Sequence, residues 1–154
     1  MIDHKLSEDN KKEICLWHYP KPYDVYDFPP YILLKIFKAG FCDPLEQEEY
    51  LGYFENNNLI GFTSLKKEDD HLVVAIGVKP EYCSKGYGYQ ILKRIDEIRK
   101  LKYPSFPIEL IVRTWNQRAI SCYQKSGYQI TGEPFELTVN GSKDLYYRMK
   151  KEFT

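Results

Sequence analysis

The clearest run of apolar and polar positions lies between residues 72 and 101. Leu72–Val78 is an unbroken apolar stretch of β type. A Pro-containing turn follows, then the loop Ser84-Lys85-Gly86-Tyr87-Gly88-Tyr89. Ile91, Leu92, Ile95 and Ile98 then recur at helical spacing, with Lys93, Arg94, Asp96 and Glu97 between them. The pattern predicts a strand, a Gly-rich loop and an amphipathic helix over Gly86–Leu101.

On either side the same reading gives further elements. Residues 1–13 are charged and polar and read as a loose terminus, with Ile14 to Trp17 as a strand. Five prolines between 20 and 44 forbid a long regular helix across 18–30. Tyr31 to Ala39 reads as a helix with Gly40 at its stop. Glu46 to Tyr53 reads as a helical turn running into a strand. Tyr50–Phe54 and Leu59–Leu65 are strands joined by Asn56-Asn57-Asn58. Ile108–Arg113 is a strand, and Asn116 caps a helix that runs to Ser126 with Gly127 past its end. Tyr128–Thr131 and Phe135–Val139 are strands. Asn140-Gly141 is a hairpin signal before the strand Lys143–Met149. Without repeat or linker, the expectation is one α+β domain over 1–154, with a mixed sheet of six to seven strands flanked by helices.

Composition narrows the function classes. The chain has 154 residues, 43% hydrophobic and 29% charged, the balance of a globular domain. Its formal net charge is zero, so no long-range field draws it to nucleic acid or to an anionic membrane. No apolar run approaches a membrane span, and the opening Met-Ile-Asp-His-Lys is not an apolar signal segment. Cys15, Cys42, Cys83 and Cys122 are far apart in sequence, as are His4, His18 and His71. This spacing argues for no metal site and for reduced thiols in a cytoplasmic setting.

The candidate chemistry sits in two stretches. A strand, a Gly-rich loop and a helix N-terminus present main-chain N–H groups and a helix dipole to an anion. The loop is neither a dinucleotide fingerprint, since Ile91 stands where a third Gly belongs, nor a P-loop, since Tyr87 follows Gly86. Gly86 and Gly88 remove side chains where phosphate oxygens would approach, and Gly77 permits a bulge or close ligand approach. In the second stretch, Asn116, Ala119, Ile120 and Tyr123 share one helix face. A capped amphipathic helix explains each of these residues singly.

Together the stretches resemble the GCN5-related N-acetyltransferase (GNAT) superfamily. The match is Val78-x-Pro80, Lys85-Gly86-x-Gly88, then Asn116-x-x-Ala119-x-x-x-Tyr123-x-x-x-Gly127-Tyr128. The resemblance implies a GNAT-like twisted sheet and transfer of an acetyl group from acetyl-CoA to a primary amine, of a small molecule or a protein N-terminus. It implies that the pantetheine arm lies along Ile76, Gly77 and Val78, and the pyrophosphate on Ser84, Lys85, Gly86, Tyr87, Gly88 and Tyr89. Asn116 and Tyr123 would face the cofactor, and a homodimer stays open.

The chain departs from the family in two places. Cys83 stands where Gln or Arg is usual, and Ile111 where many members carry a catalytic Glu. Glu109, on the same strand face, is the stand-in for the base, and Tyr123 the donor to the departing thiolate. Phenol is the weaker acid of the pair, so hydrogen bonding rather than full proton transfer is expected there. Loss of the Glu also leaves room for a catalytically silent acyl-CoA-binding or protein-interaction module. The aromatic-rich 17–53 region, with Asp24, Asp27, Asp43, Glu46, Glu48 and Glu49, is the expected acceptor side. Cys83, near Lys85 and a helix start, reads either as a reactive thiol or as a turn-filling residue.

Overall fold

The computed structural model describes residues 1–139 and 141–153, with the side chain of Glu48 also outside the described set. The strands are β1 (Ile2–His4), β2 (Tyr50–Glu55), β3 (Asn58–Lys67), β4 (Leu72–Val78), β5 (Ile108–Arg113), β6 (Gln129–Val139) and β7 (Ser142–Lys151). The helices are α1 (Glu8–Cys15), α2 (Tyr31–Phe37), α3 (Tyr87–Lys102) and α4 (Gln117–Lys125). The strands form one seven-stranded sheet in the order β1-β2-β3-β4-β5-β7-β6. β4 and β5 are parallel, and β5–β7 and β6–β7 are antiparallel. This is the mixed sheet of six to seven strands that the sequence predicts.

By contact density the chain forms two compact units, Met1–Ser64 with Ile76–Tyr87, and Leu65–Ala75 with Gly88–Thr154. In the first, Ile14, Trp17, Tyr19, Leu34, Phe41, Phe54, Leu59 and Phe62 form one buried cluster. Most aromatics of the 17–53 region that read as an acceptor lining therefore have packing work: Phe41 stacks on Phe28 and meets Tyr50 and Phe62 edge-on. In the second unit, α3 buries Ile91, Leu92, Ile95 and Ile98, one helical stripe. β5 alternates as a half-covered strand should, with Ile108, Leu110 and Val112 buried and Ile111 exposed.

Several boundaries differ from the sequence reading. Residues 1–13 take regular structure: β1 pairs with β2, and α1 begins at a capping box between Ser7 and Asn10. Ile14 is helical, not the start of a strand, and packs at 1% exposure. α2 stops at Phe37 because Lys38 turns left-handed (φ 51°), two residues before Gly40. β6 is one strand with a register shift between Thr131 and Phe135 rather than two. The hairpin expected at Asn140-Gly141 falls partly outside the described residues, at Asn140; β6 and β7 pair up to Val139 and Ser142.

Candidate active site

The end of β4 runs past its recorded register with β5. Among the described residues, β4 is in register with β5 through Leu72–Ile108 and Val73–Glu109. The Leu72 N–H donates to the Pro107 oxygen at 2.9 Å, and the Lys79 N–H donates to the Ile60 oxygen of β3 at 2.8 Å. Successive residues of an extended strand send their main-chain groups to opposite edges. Ile76 and Val78 therefore share the edge of Leu72, past the point where the β5 register stops. The Val78 oxygen on this edge accepts from the Tyr19 hydroxyl at 2.6 Å and from the Cys83 thiol at 3.6 Å. Gly77 has a packing reason: a Cβ there would stand 2.3 Å from the Phe62 ring.

The loop after β4 turns twice through the left-handed region, at Ser84 (φ 62°) and Gly86 (φ 88°), with Lys85 between them. Alternation of hand turns successive N–H groups to one side, the geometry of an anion nest. Ser84, Lys85 and Gly86 are exposed, and a Cβ on Gly86 would meet nothing within 4 Å. α3 begins at Tyr87, so its positive dipole end adjoins the turn. The Tyr87 hydroxyl donates to Glu55 at 2.5 Å, and that carboxylate pushes the phenol's pKa up. Tyr89 is partly exposed and lies under the Lys125 ammonium, 5.1 Å from its ring centre. Gly88 has a packing neighbour: a Cβ there would lie 3.1 Å from the Cys122 sulfur. Its smallness serves the contact between α3 and α4.

In the second unit, Asn116 is the N-cap of α4. Its Oδ1 accepts from the Ala119 N–H at 3.1 Å, and the residue is 6% exposed. Tyr123, half-buried on the same helix, stands edge-on to Tyr128 at 6.3 Å. The α4 exit is a six-residue closure, with the Tyr128 N–H donating to the Tyr123 oxygen and Gly127 left-handed. Glu109 is engaged elsewhere: its Oε2 lies 3.2 Å from His71 Nε2, and Asp70 holds His71 Nδ1 at 2.7 Å. Glu109 is in register with Val73, three residues upstream of Ile76, about 10 Å along the strand.

The acids expected on the acceptor side are partly committed to local structure. Asp27 accepts from the Tyr19 N–H at 2.9 Å and pairs with His18 Nδ1 at 2.6 Å; Asp43 accepts from the Leu45 N–H. All four cysteines are free thiols. Burial pushes Cys15 up to about 11, and raises Cys42 and Cys122 as well. Cys83 donates to two main-chain oxygens, of Val78 and Lys79, which suits a turn-filling thiol. Sequence reading missed Tyr19, Phe62 and Glu55; nothing local in the chain signals that they meet β4 and its loop.

The Acetyltransferase (GNAT) family model matches residues 11–128. Among solved structures, the chain is similar to spermidine N-acetyltransferase from Vibrio cholerae in complex with CoA and spermine. That likeness has a TM-score of 0.78 and 17% identity, over 98% of this chain and 94% of that one. It is also similar to PaiA N-acetyltransferase from Thermoplasma acidophilum in complex with coenzyme A, with a TM-score of 0.70 and 24% identity over 99% and 98% of the two chains. A third is the ribosomal-protein-S18-alanine N-acetyltransferase from Escherichia coli, with a TM-score of 0.68 and 18% identity over 99% and 94%. With the family match spanning most of its length, from α1 through α4, this chain belongs to the GNAT acetyltransferase family.

Proposed function

We propose that this chain is an acetyl-CoA-dependent N-acetyltransferase that carries the acetyl group to a primary amine by direct attack in a ternary complex. One observation carries the reading: among the described residues, the edge of β4 beyond Val73 has no β5 register and leads into a left-handed turn at the start of α3. An extended pantetheine arm can add to such an edge as a strand, and a pyrophosphate suits the turn.

The chain's residues then divide the work. Ile76 offers its main-chain groups to the pantetheine and Val78 its N–H at the thioester end, while Gly77 keeps the strand flat against Phe62. Ser84, Lys85, Gly86 and Tyr87 hold the pyrophosphate through N–H groups, and Lys85 adds a cation. Gly88 fits α3 to α4, and Tyr89 flanks the turn. Acetyl-CoA supplies a thioester whose carbonyl carbon accepts the amine. The Val78 N–H is the donor for the charge that develops on the carbonyl oxygen. Asn116 fixes the start of α4, and Tyr123 donates a hydrogen bond to the departing thiolate. Glu109, held by His71, steadies the turn into β4 in preference to acting as base. Four free thiols fit a reducing cytoplasm.

A silent acyl-CoA-binding module is the second reading, supported by Ile111 and by the engagement of Glu109 with His71. Calorimetric titration with CoA and acetyl-CoA tests binding. Turnover against spermidine, lysine and an alanine-terminated peptide then separates the two. Binding with acetylation of any of these supports the enzyme; binding with none supports the module; no binding overturns both.

A further inference from the structure

The turn between β4 and α3 has little packing of its own to hold its shape. Ser84, Lys85 and Gly86 are exposed, and a Cβ on Gly86 would meet nothing within 4 Å. Gly86 has φ 88°, and glycine leaves both hands of the backbone open. A nest of N–H groups binds an anion best when its shape is fixed beforehand, because ordering a loose loop subtracts from affinity. The restraint therefore falls to the two ends of the turn. At its start the Cys83 N–H donates to the Pro80 oxygen at 3.2 Å, and the thiol reaches the Val78 and Lys79 oxygens. At its other end stands Tyr87, the first residue of α3. Its N–H belongs to the first turn of the helix, where donors have no acceptor within the helix.

The Tyr87 side chain is held from two sides. Its hydroxyl donates to Glu55 Oε2 at 2.5 Å, across 32 residues of sequence, and its ring stands edge-on to Tyr82 at 5.6 Å. Glu55 is itself fixed. It is the last residue of β2, in register with Asn58 across a tight turn in which Asn56 and Asn57 are left-handed. β2 also shifts register between Tyr53 and Phe54, just before Glu55, an irregularity that re-aims a strand end. All of these residues lie in the first compact unit. As a bare charge, Glu55 would oppose a nearby phosphate. As the anchor of Tyr87 it does the reverse, so the two roles predict effects of opposite sign.

We propose that Glu55 is a positioning residue for the coenzyme: by holding the Tyr87 phenol it sets the turn from Ser84 to Tyr87 in the shape that receives the pyrophosphate. This rests on the acetyl-transfer reading of the β4 edge and its turn. Glu55 acts through Tyr87 and has no part in the bond-making step. Its effect belongs to the nucleotide end of CoA and not to the pantetheine arm.

The test uses the full chain and titration calorimetry with two probes, CoA and pantetheine, which ends before the pyrophosphate. Glu55→Ala and Tyr87→Phe are each expected to weaken CoA binding about tenfold, the size of one hydrogen bond to a charged group. The double variant should bind no more weakly than either single one, since both cut the same link. Glu55→Gln keeps an oxygen that accepts from the phenol and should restore most of the affinity. Pantetheine should bind the Glu55→Ala chain as it binds the unmodified chain. Unchanged or tighter CoA binding by the Glu55→Ala chain, additive losses in the double variant, or an equal loss for pantetheine would overturn the assignment of Glu55 alone. Failure of the unmodified chain to bind CoA would overturn the acetyl-transfer reading and this assignment with it.

Discussion

The hydroxyl of Tyr19 donates to the main-chain oxygen of Val78 at 2.6 Å, across 59 residues of sequence. Tyr19 is 8% exposed, so the bond is made in a largely dry setting and fixes the edge of β4 where the pantetheine is proposed to lie. Tyr19→Phe removes this donor and leaves Val78 with the weaker Cys83 thiol. The expected cost in stability is about 1 kcal/mol. For a chain of this size that is a fall in Tm of roughly 2–4 °C. Turnover at saturating acetyl-CoA is expected to drop about tenfold, the effect of ~1.4 kcal/mol on a barrier. CoA affinity should hold within about twofold, because the pyrophosphate turn is untouched. Calorimetry of CoA binding beside steady-state kinetics checks the split.

Gly88 and Cys122 are coupled through the contact of α3 with α4. A Cβ at 88 would lie 3.1 Å from the Cys122 sulfur, closer than ordinary van der Waals contact. Gly88→Ala therefore meets the sulfur, while Gly88→Ala with Cys122→Ala has room. A double-mutant cycle by chemical denaturation should give a favourable coupling of at least ~0.5 kcal/mol. Strict additivity would return Gly88 to the role of a phosphate-approach residue.

Tyr123 tests the leaving-group assignment. Tyr123→Phe keeps the edge-on contact with Tyr128 and removes only the hydroxyl. Turnover is expected to fall by roughly 10²-fold with little change in acetyl-CoA affinity, as for a positioned donor. Wild-type kinetics in this variant would leave Tyr123 as a packing residue of α4.

His71 links stability to pH. Its hydrogen bond with Asp70, and then the charge of Glu109, raise its pKa above the ordinary imidazole value. A raised folded-state value means that the protonated form is the one the fold favours. The stabilisation is full below the unfolded value near 6.5 and is lost as pH rises through the folded value. Tm measured from pH 5.5 to 8.5 should show this decline, and His71→Gln should flatten it. A variant that keeps the same slope would move the pH dependence to another group.

The strands of the second half were legible because their periodicity and punctuation agree. Leu72–Val78 and Ile108–Arg113 stand where the apolar patterns put them, and Asn116 and Gly127 bound α4 as cap and stop. The first half was harder. Ser7 and Asn10 form a capping box, a local signal overlooked in a stretch dominated by charge, and it starts a helix whose Ile14 is in the core. Lys38 ends α2 in a conformation usually left to Gly, which residue type does not announce. In the site, the left-handed turn at Gly86 is written in the sequence. The reasons for Gly77 and Gly88 are not, since they lie in Phe62 and Cys122, distant partners that only packing reveals. Tyr19 and the Glu55–Tyr87 pair are likewise products of tertiary contact.

Amide hydrogen exchange with and without acetyl-CoA tests most directly whether the β4 edge and the turn into α3 receive the ligand. Main-chain N–H groups at Ile76 and Val78, and from Ser84 to Tyr87, should exchange markedly more slowly when acetyl-CoA is bound. The pairing of β6 with β7 should be unchanged at its far end, near Val139 and Ser142. Tight binding without added protection at Val78 and Gly86 would contradict the proposed site, whatever the turnover.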